Sequence, residues 1–137
     1  MFHYQDLLTH PEIDYIEEDY IMRINNTPIG VNTTQANPAN WGLDRIDQQN
    51  LPLTNSYTYN YTGTGVNVYV FDTGINIYHT EFGNRAKLGP NFVDDGYDAT
   101  DRNGHGTHIA GIIGGVSCGV AKNVNLFSVR ILDMEGN

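Results

Sequence analysis

A single cysteine, Cys118, stands among 137 residues, so no disulfide can close within the chain. Flanked by small and apolar residues, it reads as a small buried side chain. Cations are scarce as well. Seven Lys and Arg face sixteen Asp and Glu, a formal charge of −9 at pH 7. A protein that binds nucleic acid needs a basic face to neutralise phosphates, so that partner class is excluded. The acidic excess fits solubility and oxygen-ligand cation sites instead. No run of eighteen apolar residues occurs, which excludes a membrane-spanning helix and the membrane as a partner. The opening Met1-Phe2-His3-Tyr4-Gln5-Asp6 lacks the basic-then-apolar pattern of a signal peptide. No Gly-x-Gly-x-x-Gly follows the apolar run Val66–Phe71, which argues against a nucleotide-binding domain.

What is present centres on Asn103-Gly104-His105-Gly106-Thr107-His108-Ile109-Ala110-Gly111. Glycines on both sides of His105 let the backbone approach other segments closely and leave the ring uncrowded. A histidine that exchanges protons near neutral pH needs an acceptor on its second nitrogen. Asp72, at the end of Val66-Asn67-Val68-Tyr69-Val70-Phe71, is the best upstream candidate. An acid at the C-terminal end of a buried parallel strand points into the crevice where open α/β sheets keep their sites. Ile109–Gly115 is the expected helix carrying His105 at its mouth, with His108 packed along it. His105 and His108 find no third ligand at a convincing spacing, so zinc is not expected.

Two segments together, Val70-Phe71-Asp72-Thr73-Gly74-Ile75 and Asn103 to Gly111, resemble two of the three signature segments of the subtilisin-like serine proteases. Further stretches resemble the proteinase K and aqualysin-like branch: Trp41 to Gln48, Leu51-Pro52-Leu53, Asn55 to Tyr59, Gly65 to Val70, Glu81-Phe82-Gly83 and Gly119 to Lys122. The resemblance implies a serine endopeptidase acting on protein and peptide substrates, with Asp72 as triad aspartate and His105 as general base. It implies the N-terminal half of a three-layer α/β fold with a parallel central sheet. The Gly-Thr-Ser-Met-Ala segment that carries the family's nucleophile does not occur in these residues, so this chain alone is expected to be inactive. The alternative is a truncated or degenerate chain that binds a partner or has no activity.

The same resemblance divides the chain. Residues 1–31 look like the C-terminal remnant of an inhibitor-type propeptide with its linker, and 32–137 like an incomplete catalytic domain. Ile13 to Met22 alternates in part and is rich in Ile and Tyr, as a strand would be. In the family this propeptide lies in the active-site cleft, so it counts as a partner, in a monomeric and secreted enzyme. Polar residues 25–39, with Pro28 and Pro38, read as a linker. Asn-x-Thr sequons begin at Asn25, Asn32 and Asn60.

Trp41–Ile46 reads as a short helix presenting Trp41, Leu43 and Ile46 to the core. Asp44, Asp47 and Gln48, with Thr54 and Ser56, supply hard oxygens at close spacing, which suits calcium. By resemblance these five residues form a structural calcium site. A second calcium is a weaker expectation for the acidic loop holding Asp94, Asp95, Asp98 and Asp101. Val66–Phe71 is expected to be covered on both faces, with further strands at 86–92 and 124–132. Leu132 would sit near the pocket for the residue two before the scissile bond. Where aqualysin-like relatives place a cysteine pair, this chain has Arg102 and Met134. A link of that kind is worth about 2–4 kcal/mol.

Overall fold

The computed structural model describes residues 32–137. The expected propeptide strand and the Asn25 sequon lie outside the described residues. The elements are β1 (Thr33–Ala36), α1 (Trp41–Ile46), β2 (Ser56–Tyr59), β3 (Asn67–Asp72), β4 (Ala86–Asn91), α2 (His105–Gly114) and β5 (Asn125–Arg130). Strands β3, β5 and β4 form one parallel sheet with β5 in the middle. Strands β1 and β2 pair antiparallel, Thr33 against Tyr59. This is the mixed α/β architecture with a parallel sheet that the resemblance implies.

The core lies between the sheet and α2. Val70, Ile75, Phe82, Ala86, Ala110, Val124 and Leu126 form one buried cluster, and α2 packs on β3 and β5. The helix sits close because its inner face is small: Gly106, Ala110, Gly111 and Gly114 are its buried residues. A Cβ on Gly114 would stand 2.7 Å from a methyl of Val124.

Three expectations are corrected. Strand β3 is covered on one face only: Tyr69 and Phe71, on the face away from α2, are 55% and 61% exposed. On that face the Tyr69 ring stacks on Phe127 of the neighbouring β5 at 4.9 Å. Of the three apolar residues expected to face the core from α1 only Leu43 is buried, and Trp41 is 72% exposed. Trp41 stands two residues before Leu43, about 200° round the helix, so the two cannot share a face. Ile46 ends the helix and lines an open hollow with Leu43 and Ile112. The other buried residue of α1 is Asp44. Finally, α2 begins at His105, four residues before the expected start, because Gly104 turns the chain with φ 109°.

Candidate active site

Strand alternation carries Asp72 to the same face as Val70, toward α2. Its residue is buried, and Thr73 N–H donates to Oδ1 at 2.7 Å. Across from it, His105 occupies the first position of α2. The approach requires glycine at position 106, where a Cβ would lie 2.1 Å from the Gly74 carbonyl oxygen and 3.2 Å from Asp72 Cβ. His105 Nδ1 consequently stands 2.8 Å from Asp72 Oδ1 and 2.9 Å from Oδ2. The histidine side chain is 59% exposed while that of Asp72 is 12% exposed. A carboxylate facing Nδ1 fixes the proton there, so in the neutral ring Nε2 is the basic nitrogen. The arrangement can take a proton from a group presented on the open side.

His105 opens onto a shallow depression of about 260 Å³ lined by Thr73, Asn103, Leu132, Glu135 and Gly136. Leu132 lines the depression onto which His105 opens. Two larger hollows, of about 370 and 400 Å³, run along the outer side of α2 beside His108, Ile112 and Cys118. Neither is lined by Asp72 or His105. Asn103 Nδ2 donates to the Met134 carbonyl at 2.8 Å, which joins by a hydrogen bond the two loops holding Arg102 and Met134. Arg102 lays its guanidinium over the Tyr97 ring at 3.9 Å.

Residues 63–137 match the profile of the subtilase family. The chain belongs to the subtilases. It is 54% identical over 133 residues to the alkaline serine exoprotease A of Vibrio alginolyticus, covering 97% of this chain and 24% of that protein. It is 49% identical to the extracellular serine proteinase of Thermus sp. (strain Rt41A), covering 93% of this chain and 29% of that one. A crystal structure of a cold adapted subtilisin-like serine proteinase superposes with a TM-score of 0.70 at 57% identity, over 73% of this chain and 37% of that chain. The subtilase chain thus spans about a quarter of the Vibrio protein's length.

Sequence reasoning missed one residue beside the pair. The sequence groups Asp101 with the acids of a second calcium loop, yet in this subtilase chain it is the acceptor that shapes the turn before α2. Its Oδ1 accepts from Asn103 N–H at 3.0 Å, Gly104 N–H at 2.8 Å and Thr73 Oγ1 at 2.9 Å. Its Oδ2 accepts from Thr107 N–H at 2.9 Å and Thr107 Oγ1 at 2.5 Å. Burial opposes its ionisation, but the Thr107 hydroxyl and the backbone donors outweigh it and hold the carboxyl at about 2. The signal that could have found it is an Asp four residues before a helical His with no Ser, Thr, Asp or Asn at the N-cap itself.

Two other acids of that loop are engaged too. Asp95 pairs with Arg130, a fully buried cation, at 2.6 Å, and Asp98 accepts from Thr100 N–H. Among the described residues no group of three or more His, Cys, Asp or Glu is placed to hold a metal. His108 is exposed rather than packed. Cys118 is half-buried and is not an apolar filler: its thiol donates to Glu81 Oε2 and to the Gly111 carbonyl, both at 3.3 Å.

Four of the five oxygen-bearing residues around α1 meet at the Thr54 hydroxyl. Thr54 Oγ1 lies 3.3 Å from Asp44 Oδ1, 3.1 Å from Gln48 Oε1 and 2.8 Å from Ser56 Oγ. Gln48 gives its amide hydrogens to the Asn50 and Pro52 carbonyls, which turns Oε1 toward Thr54. Asp47 Oδ2 accepts from Thr58 N–H at 2.5 Å, and its Oδ1 is buried with no hydrogen-bond donor. An orphaned carboxylate oxygen fits a hard cation better than it fits an apolar packing site.

Proposed function

We propose that residues 32–137 are the Asp- and His-bearing part of a serine endopeptidase, acting on protein and peptide substrates in the complete enzyme. The observation that supports this above all is the exposed His105 ring braced through Nδ1 by the buried Asp72 carboxylate. A serine hydroxyl, supplied by a segment that these residues do not contain, attacks the peptide carbonyl. His105 Nε2 takes its proton and returns it to the leaving amine. Asp72 holds the ring's tautomer and stabilises the imidazolium. Substrate backbone lies along the depression beside Leu132. Residues 1–31 are the remnant of a propeptide and its linker, the propeptide is a partner of the active-site cleft, and the enzyme is secreted and monomeric. Among the described residues no helix is long and apolar enough to cross a membrane.

The reading includes a structural calcium held by Asp44, Asp47, Gln48, Thr54 and Ser56. A bound calcium there neutralises acidic charge and ties α1 to β2.

The test joins residues 1–137 to the C-terminal portion of the Vibrio relative. Asp72→Asn in that chimera should lower kcat by about 10⁴-fold, the loss that follows when the imidazole sits in the wrong tautomer. Residues 1–137 alone should cleave no peptide. Near-wild-type turnover of the Asp72→Asn chimera would refute the assignment.

A further inference from the structure

We infer that Asp101 is a positioning residue: one carboxylate that locks the turn carrying His105 to the strand end carrying Asp72, and so sets the distance between them. The inference rests on the triad reading and deepens it.

The geometry is a closed loop of hydrogen bonds. Asp72 and His105 come from elements 33 positions apart, and their side chains meet in one contact. Around that contact runs a second path. Thr73, next to Asp72, donates its hydroxyl to Asp101 Oδ1, and the same hydroxyl accepts from Gly106 N–H, next to His105, at 3.0 Å. Asp101 Oδ1 also takes the Asn103 and Gly104 N–H groups, and Oδ2 takes the backbone and hydroxyl of Thr107. The residues flanking His105 on both sides are therefore held by a carboxylate that is also bonded to the neighbour of Asp72.

At the start of α2 the His105 N–H goes to Asn103 Oδ1 and the Gly106 N–H to Thr73 Oγ1, and Asp101 takes the Thr107 N–H while also bonding the backbone of Asn103 and the hydroxyl of Thr73. Gly104 is the N-cap and has no side chain with which to cap the exposed N–H groups. Asp101 substitutes for the missing cap from three residues upstream, and its charge is favoured by the helix N-terminus. Only an ionised carboxylate can accept from five donors; an amide in its place would turn an NH₂ toward some of them. A shift of the turn would leave His105 exposed but slacken its hold on Asp72. Misplacement by about 1 Å can cost about a hundredfold in rate.

Two measurements test this, with Glu81→Gln as the control. Glu81 is another multiply bonded carboxylate in a turn, with no bond to Asp72, Thr73 or His105. In the 1–137 chain the His105 Nδ1 proton, held against Asp72, should give a far-downfield proton resonance by NMR. Asp72→Asn should abolish it, Asp101→Asn should abolish or exchange-broaden it, and Glu81→Gln should leave it. In the Vibrio chimera Asp101→Asn should lower kcat by roughly a hundredfold with KM nearly unchanged, and Asp101→Glu should recover part of the loss. Where Asp101→Asn does not fold, Thr73→Val breaks the same path at its other end and should have the same two effects.

A resonance that survives Asp101→Asn, or one that Glu81→Gln removes equally, overturns the inference. Full turnover with Asp72→Asn overturns the triad reading instead, whatever the resonance does.

Discussion

Glu81 accepts four hydrogen bonds from two consecutive residues. Oε2 takes the Ser117 N–H at 2.8 Å, the Cys118 N–H at 3.2 Å and the Cys118 thiol, while Oε1 takes the Ser117 hydroxyl. Burial by itself would raise its pKa. The Ser117 and Cys118 donors win, and hold the carboxyl at about 2 against an ordinary 4.5. A folded-state pKa below the unfolded value stabilises the fold fully above the unfolded value, and the gain fades as pH falls toward the folded one. The melting temperature should therefore fall between about pH 4.5 and 2, and Glu81→Gln should flatten part of that slope. A further part belongs to Asp101, also held at about 2. The same contact governs Cys118, whose thiol is pushed up first by burial and then by Glu81. Alkylation at mildly alkaline pH should be slow in the wild type and faster in Glu81→Gln. An unchanged alkylation rate would count against the thiol–carboxylate bond. None of this was legible from a lone cysteine in the sequence, because its partner lies 37 positions away.

At the scale of elements, α2 is where sequence and structure agree most and differ most usefully. The alternation and apolar runs are enough to predict β3, β4, β5 and a helix after His105. They cannot place the helix start, because the usual cap signal is absent from Gly104 and its replacement, Asp101, acts from a distance. Nor can they tell a strand covered twice from one covered once. Tyr69 and Phe71 are apolar whether or not a second layer meets them. The glycines of α2 give a test with opposite signs. Gly106→Ala puts a Cβ 2.1 Å from the Gly74 carbonyl, a backbone atom that cannot step aside. It should destabilise by about 1–3 kcal/mol or more and part His105 from Asp72. Gly111→Ala meets only Cys118 Sγ at 3.6 Å, an ordinary contact. It should stabilise by about 0.5–1 kcal/mol through helix propensity alone. Thermal denaturation of the two variants decides; the same sign for both would mean that α2 packs otherwise.

Across the whole molecule two units are loosely joined. No helix or strand of the β1–α1–β2 unit packs on the elements of the parallel-sheet unit. Side chains make the connection instead. Gln35 Nε2 donates to the Ser117 carbonyl at 2.9 Å, and the buried Tyr57 donates its hydroxyl to the Val120 carbonyl at 3.2 Å. Lys122 lies over the rings of Tyr57 and Tyr59. A short hairpin-like pair and a six-residue helix have little core of their own, since Leu43 and Tyr57 are their only buried apolar residues. Such a unit needs a further tie. The buried Asp44 draws in the backbone N–H groups of Thr54 and Asn55, and the donorless Oδ1 of Asp47 is the oxygen that the proposed calcium would satisfy. Calcium that binds only the folded state stabilises by about 2.7 kcal/mol at a hundredfold excess over Kd. Calcium chloride should therefore raise the melting temperature of the wild-type chain, magnesium chloride should do so far less, and Asp47→Asn should lose the calcium increment while keeping the fold. Amide exchange should slow in 33–59 on adding calcium and stay unchanged in β3 and β5. A melting temperature indifferent to calcium in the wild type would remove the cation from this unit and leave its stability to Gln35, Tyr57 and Lys122.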